Sequence, residues 1–200
     1  MKETKNATFI QRLIALVIDL VIIMLVSSIF TAFTVDMDNY QKLSDELISV
    51  EKQLEKGEIT PTVYMSKSMD INYDLSRETA LTTIVTIALS IVYFMIYQVK
   101  KNGQTIGKKL MKIRLVSNDE KDLTMNQVAV RSLIINCVLA DILLLALALI
   151  GTKNIYIIGT VTVEMIQYII FFVIAIMVLS RKDKRGLHDL ITNTKVIKEV

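Results

Sequence analysis

The chain has one cysteine, one histidine and one proline in 200 residues, and the first two scarcities exclude whole classes of chemistry. A lone Cys137 cannot close a disulfide within the chain, and its place inside an apolar run reads as a small packing residue. A lone His188, with no cysteine or second histidine to complete a ligand set, makes a poor metal site. Neither a Ser/His/Asp nor a Cys/His arrangement is available for nucleophilic catalysis, because the serines and the thiol lie in other segments. Nor does Gly103-Gln104-Thr105-Ile106-Gly107-Lys108-Lys109 make a phosphate loop. Its glycines are one residue too close together, Lys109 stands where Ser or Thr is needed, and no strand-to-helix unit surrounds it. The expectation is a protein that is not an enzyme, with no cofactor and no metal.

What the chain has in excess is apolar surface. It is 52% hydrophobic with a mean hydropathy of +0.49, too apolar for an ordinary soluble domain. The excess falls into four windows, residues 13–35, 79–99, 128–150 and 155–179. Each reaches the roughly 20 residues that cross a bilayer core. The runs are continuous rather than alternating, which predicts helices and not barrel strands, since in lipid the backbone must satisfy its own hydrogen bonds. The expected fold is an all-α membrane protein, a four-transmembrane-helix bundle forming one domain over residues 1–200. Lys2, Lys5 and Arg12 lead into the first run, but that run is longer than the core of a cleaved signal, about 7–15 residues. It reads as an uncleaved signal-anchor helix.

The net charge of +3 conceals an asymmetry. Residues 36–78 carry five Lys/Arg against ten Asp/Glu, residues 100–131 eight against three, and residues 181–200 six against three. Lys and Arg close to the spans stay on the cytoplasmic side. The N-terminus, the inner loop 100–127 and the tail 180–200 are therefore expected in the cytoplasm of a bacterial-type plasma membrane, with the insertion 36–78 outside. Attraction to anionic lipid headgroups accounts for the basic flanks, which makes the lipid bilayer the expected partner and nucleic acid an unneeded one.

In the insertion, Leu43, Leu47, Val50 and Leu54 recur at helical spacing between charged residues, predicting an outer amphipathic helix over 40–56. Gly57 is placed to end it and Pro61 to keep the following chain non-helical. Such a helix either caps the bundle or docks a partner. In the inner loop, Leu110, Ile113, Leu115 and Val116 precede the turn-rich Ser117-Asn118-Asp119-Glu120, which predicts a small hairpin within the loop.

Ionisable groups within hydrocarbon cost at least ~2.5 kcal/mol each on insertion scales and draw functional suspicion. Three carboxyls fall inside the runs: Asp19, Asp141 and Glu164. Arg12 lies seven residues before Asp19 on the same helix face, roughly 10 Å away along the axis, too far to pair directly. Thr79, Thr82, Thr86, Ser90, Tyr93 and Tyr97 form a polar stripe along the second run, and Thr160, Glu164, Gln167 and Tyr168 share a face of the fourth. Hydroxyl stripes glue helices together; the alternative is a polar path in which Asp141, Glu164, Thr86, Ser90 and Gln167 participate.

Together these residues resemble the RDD family of membrane proteins, named for one arginine and two aspartates. Phe9 to Ala15, with Arg12, and Ile18-Asp19 look like that family's first helix. The stretch Gly103, Gln104, Thr105, Ile106, Gly107, Lys108 is similar to its inner-loop motif, where proline is commoner than Ile106. Gly186 to Thr194, containing His188 and Asp189, looks like its closing motif. The resemblance implies Arg12, Asp19 and Asp189 as the signature residues, with Asp141 as the alternative second aspartate. It also implies a multi-pass membrane protein with a transport role, cation/proton exchange being proposed for some members.

Two functions follow as expectations. One is a small transporter or transporter component, which with only four helices calls for a homo-oligomer. The other is an accessory protein that binds another membrane protein without transporting. Both rest on the same topology. Cysteines placed at Gln53 and Gln104 in a Cys137→Ala background should react with a membrane-impermeant maleimide in intact cells only at Gln53; labelling at Gln104 instead would invert the orientation.

Overall fold

The computed structural model describes residues 5–119 and 121–199. Lys2 of the basic lead-in and Glu120 of the loop turn lie outside them. Helix α1 (Phe9–Thr34) starts at a capping box: the Thr8 hydroxyl accepts the Gln11 N–H while the Gln11 side chain accepts the Thr8 N–H. Helices α2 (Met37–Glu55) and α3 (Pro61–Glu78) form a hairpin, followed by α4 (Ala80–Lys100), whose segment Val92–Tyr97 is wound as a π-helix. The short α5 (Ile106–Leu110) and strand β1 (Ile113–Ser117) come next. Then follow α6 (Met125–Ile135), α7 (Val138–Ile150), α8 (Lys153–Ser180), the short α9 (Leu187–Ile191) and β2 (Thr194–Lys198). The chain is mostly helical, at 75%.

Helices α1, α4 and α8 are long and apolar enough to cross a membrane. Their large side chains point outward: Met24, Ile158 and Phe172 are each at least two-thirds exposed, the arrangement lipid requires and water would penalise. The third run departs from expectation. It is not one continuous helix but two, α6 and α7, bent by 60° at a short break. The break is local: α6 ends at Asn136, and Cys137 adopts a left-handed backbone, φ 59°, a conformation uncommon outside glycine. Cys137 is thus a hinge, half-buried, as well as a small residue among apolar neighbours.

The insertion holds two helices rather than one. Gly57, with φ 71°, turns the chain after α2, as its position indicated. Pro61 opens α3 instead of preventing it. At the first helical position proline's missing N–H is no loss and its fixed φ suits the helix, and Thr60 supplies the cap by accepting the Val63 N–H. It is α3 that lies on the bundle: Tyr73 donates to the Gly151 carbonyl at 3.2 Å, stacks obliquely on Tyr156, and Lys153 pairs with Asp70 at 3.4 Å. Helix α2 rests on α3, with Val50 buried between them.

The loop hairpin does not form. Leu110 belongs to α5, and β1 pairs antiparallel with β2 of the tail, Ile113 opposite Lys198 and Leu115 opposite Val196. The turn residues after Ser117 lead directly to α6, leaving no local second strand, whereas Thr194-Lys195-Val196-Ile197-Lys198 supplies one from the tail. The N-terminal residues join as well: Ala7 donates to the Val196 carbonyl at 2.9 Å and Lys198 to the Lys5 carbonyl at 2.8 Å. Ala7, Ala15, Ile113, Leu115, Val128 and Val196 are buried together beneath this small sheet. All three basic segments therefore converge on one end of the bundle, and the acidic hairpin α2–α3 covers other parts of it.

Candidate functional site

Helix α1 enters this basic end, a cap formed by the loop, the tail and the small sheet, carrying both Arg12 and Asp19. Asp19 is 1% exposed, and a buried carboxylate must have its oxygens satisfied. Its Oδ1 accepts from the Tyr93 hydroxyl at 2.6 Å and from the Gly107 N–H at 2.7 Å; its Oδ2 accepts from the Thr105 hydroxyl at 2.5 Å. The Gly103–Lys109 motif is thus a docking device for this carboxylate. Thr105 caps α5 by accepting the Lys108 N–H, and the Tyr93 hydroxyl accepts the Ile106 N–H at 3.0 Å. A Cβ on Gly107 would lie 2.8 Å from Asp19 Oδ1 and overlap the Ala15 carbonyl, so only glycine fits. A Cβ on Gly103, where φ is 85°, would likewise overlap the Leu115 carbonyl. Gln104 reaches outward instead, donating to Glu199.

Asp189 is fully buried and is held differently. Its Oδ2 accepts from Arg12 Nη1 at 2.7 Å and from the Gly186 N–H at 3.0 Å, while Arg131 Nη1 is paired with its Oδ1. Arg12 therefore pairs with Asp189 and not with Asp19. Arg185 supports the turn by donating to the Asp189 and Thr194 carbonyls, whereas Arg181 pairs with Asp183 away from it. Burial raises the Asp189 carboxyl, but the two guanidiniums and the Gly186 N–H outweigh it and hold the group below the ordinary carboxylate range. His188, 3% exposed, is pushed down to about 3, first by burial and then by Arg131, with Asp189 opposing. It is neutral near pH 7. Lys108, whose ammonium donates to Gln98 Oε1 at 3.3 Å, is lowered to about 8 by burial against the pull of Asp19.

Asp19 and the two arginines that hold Asp189 line a cavity of about 340 Å³ whose walls also include Gln98, Lys108 and His188, the rest being largely apolar. Arg131, Gln98 and Thr194 were not singled out from sequence. Arg131 stands at the edge of an apolar run, where an arginine ordinarily snorkels to water, so only its neutral surroundings offered a signal.

The other candidates separate. Thr86 donates to Ser27 at 3.0 Å and Thr34 meets Thr82 at 2.5 Å, so with Tyr93 the polar stripe of α4 zips that helix to α1. Ser90 is buried in α4. Gln167 donates to the Ile134 carbonyl at 3.4 Å, Asp141 is half-buried in the first turn of α7, and Glu164 is exposed on α8. These do not line the cavity around Asp19. No cluster of three or more metal-binding side chains occurs among the described residues.

The depressed histidine has a measurable signature. Unfolded, His188 would titrate near its ordinary 6.5; folded, at about 3. Between those values the unfolded chain binds more protons, so stability falls as pH drops from about 6.5 towards 3. Asp189 adds a second contribution, a stabilisation fully present above its unfolded value of about 3.9 and lost as pH falls from there through its lower folded value. In detergent, His188→Gln should therefore flatten the dependence of Tm on pH between 7 and 4.5. An unchanged slope would mean that His188 is not held neutral.

Comparison with known proteins yields no match among curated proteins and none among solved structures. A family model, described as the RDD family, matches residues 6–193, a range that contains Arg12, Asp19, the Gly103–Lys109 loop and Asp189. The chain belongs to the RDD family of membrane proteins.

Proposed function

We propose that the protein is a small plasma-membrane transporter, or a component of one, with four crossings, both termini and the basic cap in the cytoplasm, and the α2–α3 hairpin outside. Convergence of the three Lys/Arg-rich segments on one end supports that orientation, and the bent pair α6–α7 would make the remaining crossing. The observation that carries the transport reading is Asp19. Among the described residues its carboxylate is reached by neutral donors alone, from α4 and the inner loop, beside a cavity at the level of the basic cap. A buried charge so placed is a candidate for coupling movement of the loop to gain and loss of a proton, because protonation turns one acceptor into a donor and frees one of three contacts. A metal ion would have to share the carboxylate with three donors already in place, so proton exchange is proposed here over direct ligation of a cation.

A second reading, a non-transporting accessory protein, draws on the outward placement of Glu164 and the helix-gluing role of Thr86, which leave no continuous polar path from these residues. Flux separates the two. Reconstituted in proteoliposomes, the wild type should dissipate an imposed H⁺, Na⁺ or K⁺ gradient. Asp19→Asn, which keeps shape and most hydrogen bonds, should abolish flux with Tm nearly intact. Absence of flux in the wild type would favour the accessory reading, and undiminished flux in Asp19→Asn would remove Asp19 from the mechanism.

A further inference from the structure

The cavity between α1, α8 and the cap is unequal in its chemistry. Both neighbouring carboxylates have their oxygens occupied by protein donors: Asp19 by Tyr93, Thr105 and Gly107, and Asp189 by Arg12, Arg131 and Gly186. The cations are not used up in the same way. Lys108 has one hydrogen-bond partner, the neutral Gln98 amide oxygen, and makes no ion pair within 4 Å among the described residues. Arg12 Nε and His188 Nδ1 are buried without a partner, and all three residues belong to the cavity wall. Three cations, Arg12, Lys108 and Arg131, thus stand beside two carboxylates, Asp19 and Asp189, and one positive charge is left over at low dielectric.

The remaining wall is apolar. Leu16 of α1 and Phe171, Ile174 and Val178 of α8 contribute to it, and both helices expose apolar side chains to lipid along their length. A free inorganic anion would satisfy the cations but would leave this surface empty. A neutral chain would fill the surface but leave Lys108 unpaired. The volume, about 340 Å³, lies within the roughly 300–1,000 Å³ typical of small-molecule sites.

We propose that this cavity binds an anionic amphiphile, its single carboxylate or phosphate head against Lys108 and Arg131 and an acyl chain along Leu16, Phe171, Ile174 and Val178. Binding at this site does not depend on whether the protein transports. The head could belong to a free fatty acid or to a membrane phospholipid, which share the chemistry of one anion on a long chain.

The full chain, purified in a neutral detergent, can be titrated with oleate, with phosphatidylglycerol, with oleyl alcohol and phosphatidylcholine as charge controls, and with inorganic phosphate alone. Tm and native mass spectrometry are the readouts. At least one of the two anionic amphiphiles should be retained and raise Tm, and the one retained identifies the source. The neutral amphiphiles and phosphate should do neither. Lys108→Gln, which removes the charge but disturbs only the Gln98 contact, should weaken binding about tenfold, as expected for loss of a charged hydrogen bond. Ile174→Trp, which fills the apolar end, should block binding while Lys108 is intact. Equal retention of neutral and anionic amphiphiles, equal binding of phosphate alone, or unchanged affinity in a folded Lys108→Gln protein would each overturn the assignment.

Discussion

A carboxylate with no exposure to solvent, gripped by two arginines from distant parts of the chain, sets the organisation of the basic end. Asp189 comes from the tail, Arg12 from the start of the first span and Arg131 from the start of the bent pair. None of the three could be buried alone, since a lone ion at low dielectric costs several kcal/mol. Together they oblige the tail to fold back onto the membrane-facing helices. Once it has done so, Thr194–Lys198 is in place to pair with Ile113–Ser117, and residues 5–7 are in place to add to the other edge. Removing one partner of such a buried pair costs about 3–5 kcal/mol, more than any single contact of the small sheet could restore.

Asp19 performs the parallel task for the inner loop, with different chemistry. Its donors are neutral, and one is a backbone N–H that can approach only because residue 107 has no side chain. The glycines of the loop motif thus have separate physical reasons: Gly107 gives room for a carboxylate, and Gly103 a left-handed turn against Leu115. The π-wound segment of α4 supports both sites at once, with the Tyr93 hydroxyl on Asp19 and the Phe94 carbonyl accepting from Ser132 next to Arg131. Between the two assemblies the cavity inherits their surplus positive charge.

The spans were legible because lipid demands contiguous apolar runs, a signal that survives without knowledge of any neighbour. The end of α2 at Gly57 was legible for the same reason, being local. The bend at Cys137 was not, because a run of given hydropathy reads alike whether straight or broken. Pro61 was misread because its effect depends on whether it falls at the first turn or further inside a helix. The β1–β2 pairing joins residues about eighty apart, and the nearby turn signals pointed to a local partner that does not exist. Arg12, Asp19 and Asp189 stood out through family resemblance, but the identity of their partners did not. Arg131 and Gln98 acquire meaning only when the tail and loop are folded against them.

Whether Asp189 holds the cap together is measured directly by amide hydrogen exchange on the full chain in detergent. In the wild type the amides of Ala7, Asn118 and Lys198, which bridge the N-terminus, loop and tail, should be protected. In Asp189→Ala they should exchange much faster while the amides within α1 and α8 keep their protection. Unchanged protection of these three amides in Asp189→Ala would contradict the account.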